Sequence, residues 1–129
     1  AGSYNKKFSK QNYLVMNGKK VFEFEVPIME HGVRKVLEGT DYDLEDVDAI
    51  IPHGANIRII NPAKNRLKRD GFNGEIYTNL EKYGNTSTAS VPIAADEAFS
   101  KGIIGRGSLV INVAFGAGFT WGANLYRAR

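Results

Sequence analysis

The chain has 129 residues, 43% of them apolar and 24% charged, with no cysteine and a formal net charge of +3 from 17 basic and 14 acidic side chains. These figures describe a globular chain with one hydrophobic core, and they exclude a disulfide scaffold, a zinc knuckle and any cysteine nucleophile carried by this polypeptide. No apolar run reaches the roughly 18–20 residues of a membrane-spanning helix, and Ala1-Gly2-Ser3-Tyr4-Asn5 lacks the apolar centre of a signal peptide, so a cytoplasmic chain without membrane contact is expected.

Residues 1–15 are polar and lysine-rich and read as a connecting arm. Phe22, Val26, Met29, Val33, Val36 and Leu37 then recur at spacings of three and four, the stripe of an amphipathic helix closed by Gly39. Pro27 and Gly32 interrupt that pattern, so the helix is expected either to kink or to start near Pro27. The apolar run from Val47 to Pro52 predicts a buried strand that delivers His53 at its C-terminal end. A second helix follows through Ile57, Ile59, Ile60, Ala63 and Leu67. Its apolar residues begin at Ile57 although Asn61-Pro62 is a good N-cap and first-turn pair, so the helix is expected either to start twice or to bend at Pro62. Residues 76–80 read as a strand and 90–99 as a helix with proline in its first turn. The end of the chain predicts two strands, 108–115 and 119–127, joined by Gly116-Ala117-Gly118, with Trp121 as a core aromatic beside that turn. The alternation of strands and helices with a closing hairpin predicts an α/β fold, a mixed sheet layered with helices whose last strand is antiparallel.

Charge is unevenly placed. Arg58, Lys64, Arg66, Lys68 and Arg69 follow an acidic stretch from Glu38 to Asp48. The basic group predicts one positive face for an acidic partner. Nucleic acid is not the expected partner, because no aromatic residues interleave with the cluster for base stacking.

Three segments are richer in glycine and polar residues than packing requires: 52–56, 83–90 and 115–122. Each falls at or beyond the C-terminal end of a predicted strand, where α/β sheets hold ligands. His53 and Asn85 can both donate a hydrogen bond, and two donors converging on one oxygen would stabilise an oxyanion or enolate. The same residues also suit ordinary turns, His53 bonded to a backbone carbonyl and Asn85 in a Gly-Asn turn. His31 lies off the apolar stripe, and two histidines 22 positions apart with no carboxylate at ligand spacing do not form a metal site. Ser87 and Ser90 lack the Gly-x-Ser-x-Gly setting of a hydrolase nucleophile. Gly116-Ala117-Gly118 joins two strands rather than opening a helix, which is not the dinucleotide pattern.

Together these segments resemble the C-terminal half of the ketoacyl-acyl-carrier-protein synthase III family, thiolase-like enzymes that initiate fatty acid synthesis. The family's His-Gln-Ala-Asn-x-Arg is met by His53-Gly54-Ala55-Asn56-Ile57-Arg58, and its Gly-Asn-Thr-Ser-Ala-Ala-Ser by residues 84–90. Its Gly-Phe-Gly-Gly-Gly-x-Thr-Trp-Gly is met by residues 114–122, and Met16-Asn17-Gly18 with Val21-Phe22 also fits, so the resemblance covers 16–129. It implies a thiolase-like domain over that span. It also implies that His53 and Asn85 hold the malonyl thioester oxygen, that Phe115 flanks the malonyl carboxylate and that the Ala117 amide serves an oxyanion hole. Asn56 would line the pantetheine end, and Arg58, Lys64 and Arg66 would meet acyl carrier protein. The implied reaction is a decarboxylative condensation of an acyl-coenzyme A-derived group with malonyl carrier protein, requiring no cofactor.

The family's nucleophilic cysteine belongs to an N-terminal half that this chain lacks. The chain alone is therefore expected to be inactive, whether it is an excised domain or one subunit of a split synthase, and the complete enzyme is expected to be a homodimer. A non-catalytic scaffold or carrier-docking module is the alternative. The sequence departs from the family pattern at Gly54 and Ala117, and the added methyl at Ala117 requires a backbone that avoids glycine-only conformations.

Overall fold

The structure, a computed structural model, describes residues 17–129. The expected arm at 1–15 and the Met16 end of the first motif lie outside the described residues. Helix α1 (Gly18–Leu37) begins where the Asn17 side chain accepts the Lys20 N–H at 3.1 Å and ends before Gly39, whose φ of +77° suits a helix terminus. Of the two expectations at Pro27, a kink or a helix start, the start is excluded, because the helix runs through that residue. Pro27 is exposed, so its ring lies away from the core, and burial of Val26, Met29 and Val33 on the opposite stripe offsets the missing backbone bond. Gly32 is a contact point rather than a weakness. A Cβ there would sit 3.0 Å from Val113 Cγ2, so glycine lets α1 lie close against the sheet.

Four strands, β1 (Ala49–Pro52), β2 (Glu75–Ile76), β3 (Leu109–Gly116) and β4 (Thr120–Arg127), form one sheet in the order β2-β1-β3-β4. β1 is parallel to β2 and β3, whereas β3 and β4 form the antiparallel closing hairpin. The mixed α/β architecture agrees with the expectation from the sequence. β1 is buried at all four positions, as expected for a strand covered on both faces: Ile50 joins one core, and Ala49 and Ile51 the other. The strand expected over 76–80 is shorter. After Tyr77 N–H bonds Ile50 O at 3.0 Å the chain turns away, because Thr78 Oγ1 accepts the Leu80 N–H and the Asn79 amide bonds Glu97 Oε2 at 2.8 Å. Leu80 instead opens the single turn α3 (Leu80–Tyr83). Just before β2, Gly74 passes so near β1 that a Cβ would lie 2.3 Å from Asp48 O.

Helix α2 (Ile57–Arg69) starts at the earlier of its two expected positions, capped by the Asn56 side chain, and contains Pro62. With α1 it covers one sheet face, burying Met29, Ile60, Leu67 and Phe72. Helix α4 (Ser90–Ser100) covers the other face through Ala94 and Ala98. Trp121 is not the core aromatic expected. It is 37% exposed, because β4 is the sheet edge and the indole is covered only in part, by Gly32 and by His31 at 5.1 Å. Among the described residues, no helix is long and apolar enough to cross a membrane.

Candidate functional site

The three glycine-rich segments meet at one end of the sheet. A cleft of about 780 Å³ is lined by His53, Asn85, Phe115, Gly116 and Ala117, together with Asn56, Arg58 and residues of α1. Positions 32 and 30 residues apart in sequence are thus neighbours in space, because parallel β1 and β3 end side by side and the turn after α3 folds over them.

His53 leaves β1 with its N–H bonded to Val113 O on β3 at 2.8 Å. Its ring packs edge-on to Phe115 with centroids 5.4 Å apart, and burial pushes its pKa below the usual histidine value, so the neutral imidazole is favoured. Nδ1 lies 2.5 Å from Ser90 Oγ, which leaves Nε2 as the nitrogen available to the cleft.

Asn85 commits its side-chain oxygen to the turn: Oδ1 accepts the Ser87 N–H at 2.9 Å. Its Nδ2 is the donor left for the cleft. The two readings of Asn85 are therefore compatible, since one end of the amide builds the turn and the other has no partner among the described residues. This turn holds Gly84 at φ +67° and Ser87 at φ +55°, the latter a conformation that side chains disfavour. Asn56 is divided in the same way, with Oδ1 accepting the Arg58 N–H at 2.9 Å as the cap of α2.

The departures from the family pattern at Gly54 and Ala117 fit locally. Gly118 takes the left-handed conformation, φ +107°, in the β3–β4 turn, and Ala117 has no positive φ, so its methyl group brings no backbone strain. At Gly54 a Cβ would meet Leu80 Cδ1 and Ser90 Cβ at 3.6 Å, ordinary contacts, and the Gly54 N–H is bonded to Ser90 Oγ at 3.3 Å.

Within the basic group Arg66 stands apart. About 100° per residue sets Arg66 and Lys64 some 160° apart around α2, on opposite flanks of its buried stripe. Arg66 turns toward α1 and pairs with Glu30 at 3.6 Å, whereas Arg58 lines the cleft. The same rotation brings Arg58, Lys68 and Arg69 together on the exposed side of α2, away from its buried stripe.

Two residues were not anticipated as functional, Glu25 in the cleft wall and Ser90 in contact with His53. Glu25 is 8% exposed in the α1 wall, its Oε2 has no hydrogen-bond partner among the described residues, and burial raises its pKa. The available sequence signal was a carboxylate between Phe24 and Val26, next to the apolar stripe. Ser90, set aside as a nucleophile, touches both His53 and Gly54. No short-range pattern marks a contact across 37 positions.

Residues 37–128 match the family model described as 3-oxoacyl-[acyl-carrier-protein] synthase III C terminal. Similar curated proteins include the beta-ketoacyl-[acyl-carrier-protein] synthase III of Clostridium novyi, 51% identical over 116 residues that make up 88% of this chain and 35% of that protein. That of Caldanaerobacter subterraneus is 48% identical over 114 residues, 88% and 34% respectively. The chain thus spans about a third of the length of the curated relatives it matches. Among solved structures, the synthase III from Thermus thermophilus superposes with a TM-score of 0.85 at 39% identity, over 95% of this chain and 37% of that one. The enzyme from Aquifex aeolicus gives 0.82 at 41%, over 92% and 38%. Sequence, topology and motifs agree, and the chain belongs to the 3-oxoacyl-[acyl-carrier-protein] synthase III family as its thiolase-like C-terminal domain.

Proposed function

We propose that this chain supplies the decarboxylating half of an initiating condensing enzyme in fatty acid synthesis, acting on malonyl carrier protein and an acyl group delivered by coenzyme A. The observation that carries this reading is the single cleft lined by His53, Asn85, Phe115 and Ala117. As the malonyl C–C bond breaks and carbon dioxide leaves, the electron pair moves onto the thioester, and the enolate oxygen accepts hydrogen bonds from His53 and Asn85. A neutral imidazole and a primary amide suit this task, since both donate without surrendering a proton. Phe115 presents an apolar wall to the carboxylate, an environment that favours the uncharged product. The enolate carbon then attacks the acyl thioester on the cysteine of the N-terminal half, forming the new C–C bond and expelling the thiolate. During acyl transfer the Ala117 N–H serves the oxyanion. Asn56 contacts the pantetheine end of the substrate, and Arg58 at the rim meets the acidic carrier protein. Exposed Phe22, Phe119 and Trp121 suit the surface that the N-terminal half covers.

The test is made in the complete enzyme. His53→Ala or Asn85→Ala should lower malonyl decarboxylation about 10²–10³-fold, the usual cost of one lost oxyanion donor, while labelled acyl groups still load onto the cysteine. Wild-type decarboxylation in both variants would return the chain to a docking or scaffold role.

A further inference from the structure

Resting on the donor role proposed for His53, we infer that Ser90 is a positioning residue that holds the His53 ring in the tautomer with its proton on Nε2. Ser90 opens α4, is 4% exposed, and places Oγ 2.5 Å from His53 Nδ1 and 3.3 Å from the Gly54 nitrogen. A serine hydroxyl has one proton and two lone pairs. The Gly54 N–H can only donate, so it takes one lone pair. Were Nδ1 protonated, it would take the other, and the buried hydroxyl proton would have no recorded acceptor among the described residues. With the hydroxyl donating to Nδ1, all three groups are satisfied, as buried polar groups usually are. The ring proton then resides on Nε2, the nitrogen facing the cleft.

Burial keeps the imidazole neutral, so the tautomer decides whether the cleft meets a donor or an acceptor. An acceptor at Nε2 would repel the enolate oxygen that the site is proposed to hold. Ser90 also ties the first turn of α4 to the end of β1, which fixes the ring plane against Phe115.

The complete enzyme, labelled with nitrogen-15 in its histidine rings, tests this directly, with the His53 signals identified by their loss in His53→Gln. Nδ1 is expected to resonate as an unprotonated nitrogen accepting a hydrogen bond, and Nε2 as a protonated one. Ser90→Ala should move the Nδ1 resonance toward a free ring nitrogen and lower decarboxylation about tenfold, the usual size of one lost hydrogen bond, with acyl loading unchanged. A proton on Nδ1 in the wild type overturns the inference, as does wild-type decarboxylation in a folded Ser90→Ala. If that variant does not fold, the wild-type spectrum decides alone. Undiminished decarboxylation in His53→Ala would instead overturn the functional reading, which the tautomer measurement does not touch.

Discussion

The two faces of the sheet solve the problem of burial differently. Under α1 and α2 the core is built from large side chains, Met29, Ile59, Ile60, Leu67 and Phe72, and it opens at one end into the cleft, where Glu25 Oε2 is unmatched among the described residues. Under α4 it relies on Ala49, Ala94 and Ala98, which bring helix and sheet close together. There the acidic side chain Glu97 is saturated: it bonds the Asn79 amide at 2.8 Å, Lys101 at 2.9 Å and Lys82 at 3.3 Å. Beside α4 this carboxylate is fully bonded and only Asn112 Oδ1, buried on β3, is left over among the described residues, while the cleft end of the other face presents donors and a carboxyl to a space. Chemistry belongs on the incomplete face, because a group already satisfied within the protein has nothing to offer a ligand.

Substitutions can break this contrast. The largest effect is expected at Phe72, where Phe72→Ala should cost ~3–5 kcal/mol by leaving a cavity, whereas on the opposite face the damaging change is the reverse one, Ala98→Leu, at ~1–3 kcal/mol from overpacking. Urea titrations of both variants measure this. If Ala98→Leu were neutral, the α4 face would be less tightly packed than its alanines indicate.

Glu97 should come next, and its effect should depend on acid. Hydrogen bonds from Asn79 and Lys101 pull its pKa from 4.5 down to about 2, so the folded state favours the carboxylate. The stabilisation is present above about pH 4.5 and is lost as pH falls toward 2. Glu97→Gln should therefore be less stable than wild type at neutral pH, with the gap closing across that window. A gap that stayed constant would show that the ion pairs contribute little.

Glu25 should behave oppositely and more weakly. Burial raises its pKa above 4.5, so the folded state holds the proton more tightly and stability falls as pH rises through the folded value. Glu25→Gln should be more stable than wild type at neutral pH and no different below about pH 4. Equal melting temperatures at both pH values would mean that the carboxyl acquires a partner.

Much of the fold was legible because burial leaves a periodic trace. β1 and β3 follow from uninterrupted or alternating apolar runs, and α2 follows from Ile59, Ile60, Ala63 and Leu67. The strand over 76–80 misled because its apolar content was right but Thr78 and Asn79 end it through side-chain bonds, one of them to a residue 18 positions away. Trp121 misled because residue type says nothing about which strand forms the edge. In the site, local sequence gave donors and turns but not their meeting. His53 and Asn85 could be joined only through their motifs, while Ser90 and Glu25 required coordinates, since one acts across 37 positions and the other is defined by a missing bond.

The close passage at Gly74 sets a limit on how this sequence can drift. Every missense change in that codon introduces a Cβ that would lie 2.3 Å from Asp48 O and 2.5 Å from Val47 O, and no choice of rotamer can relieve a clash that begins at the first side-chain atom. At Gly116, where nothing lies within 4 Å of the same atom, and at Gly54, with contacts at 3.6 Å, replacements are sterically open. In a saturation library, position 74 would be recovered as glycine alone, although it touches neither ligand nor cleft, whereas glycines beside the chemistry would vary.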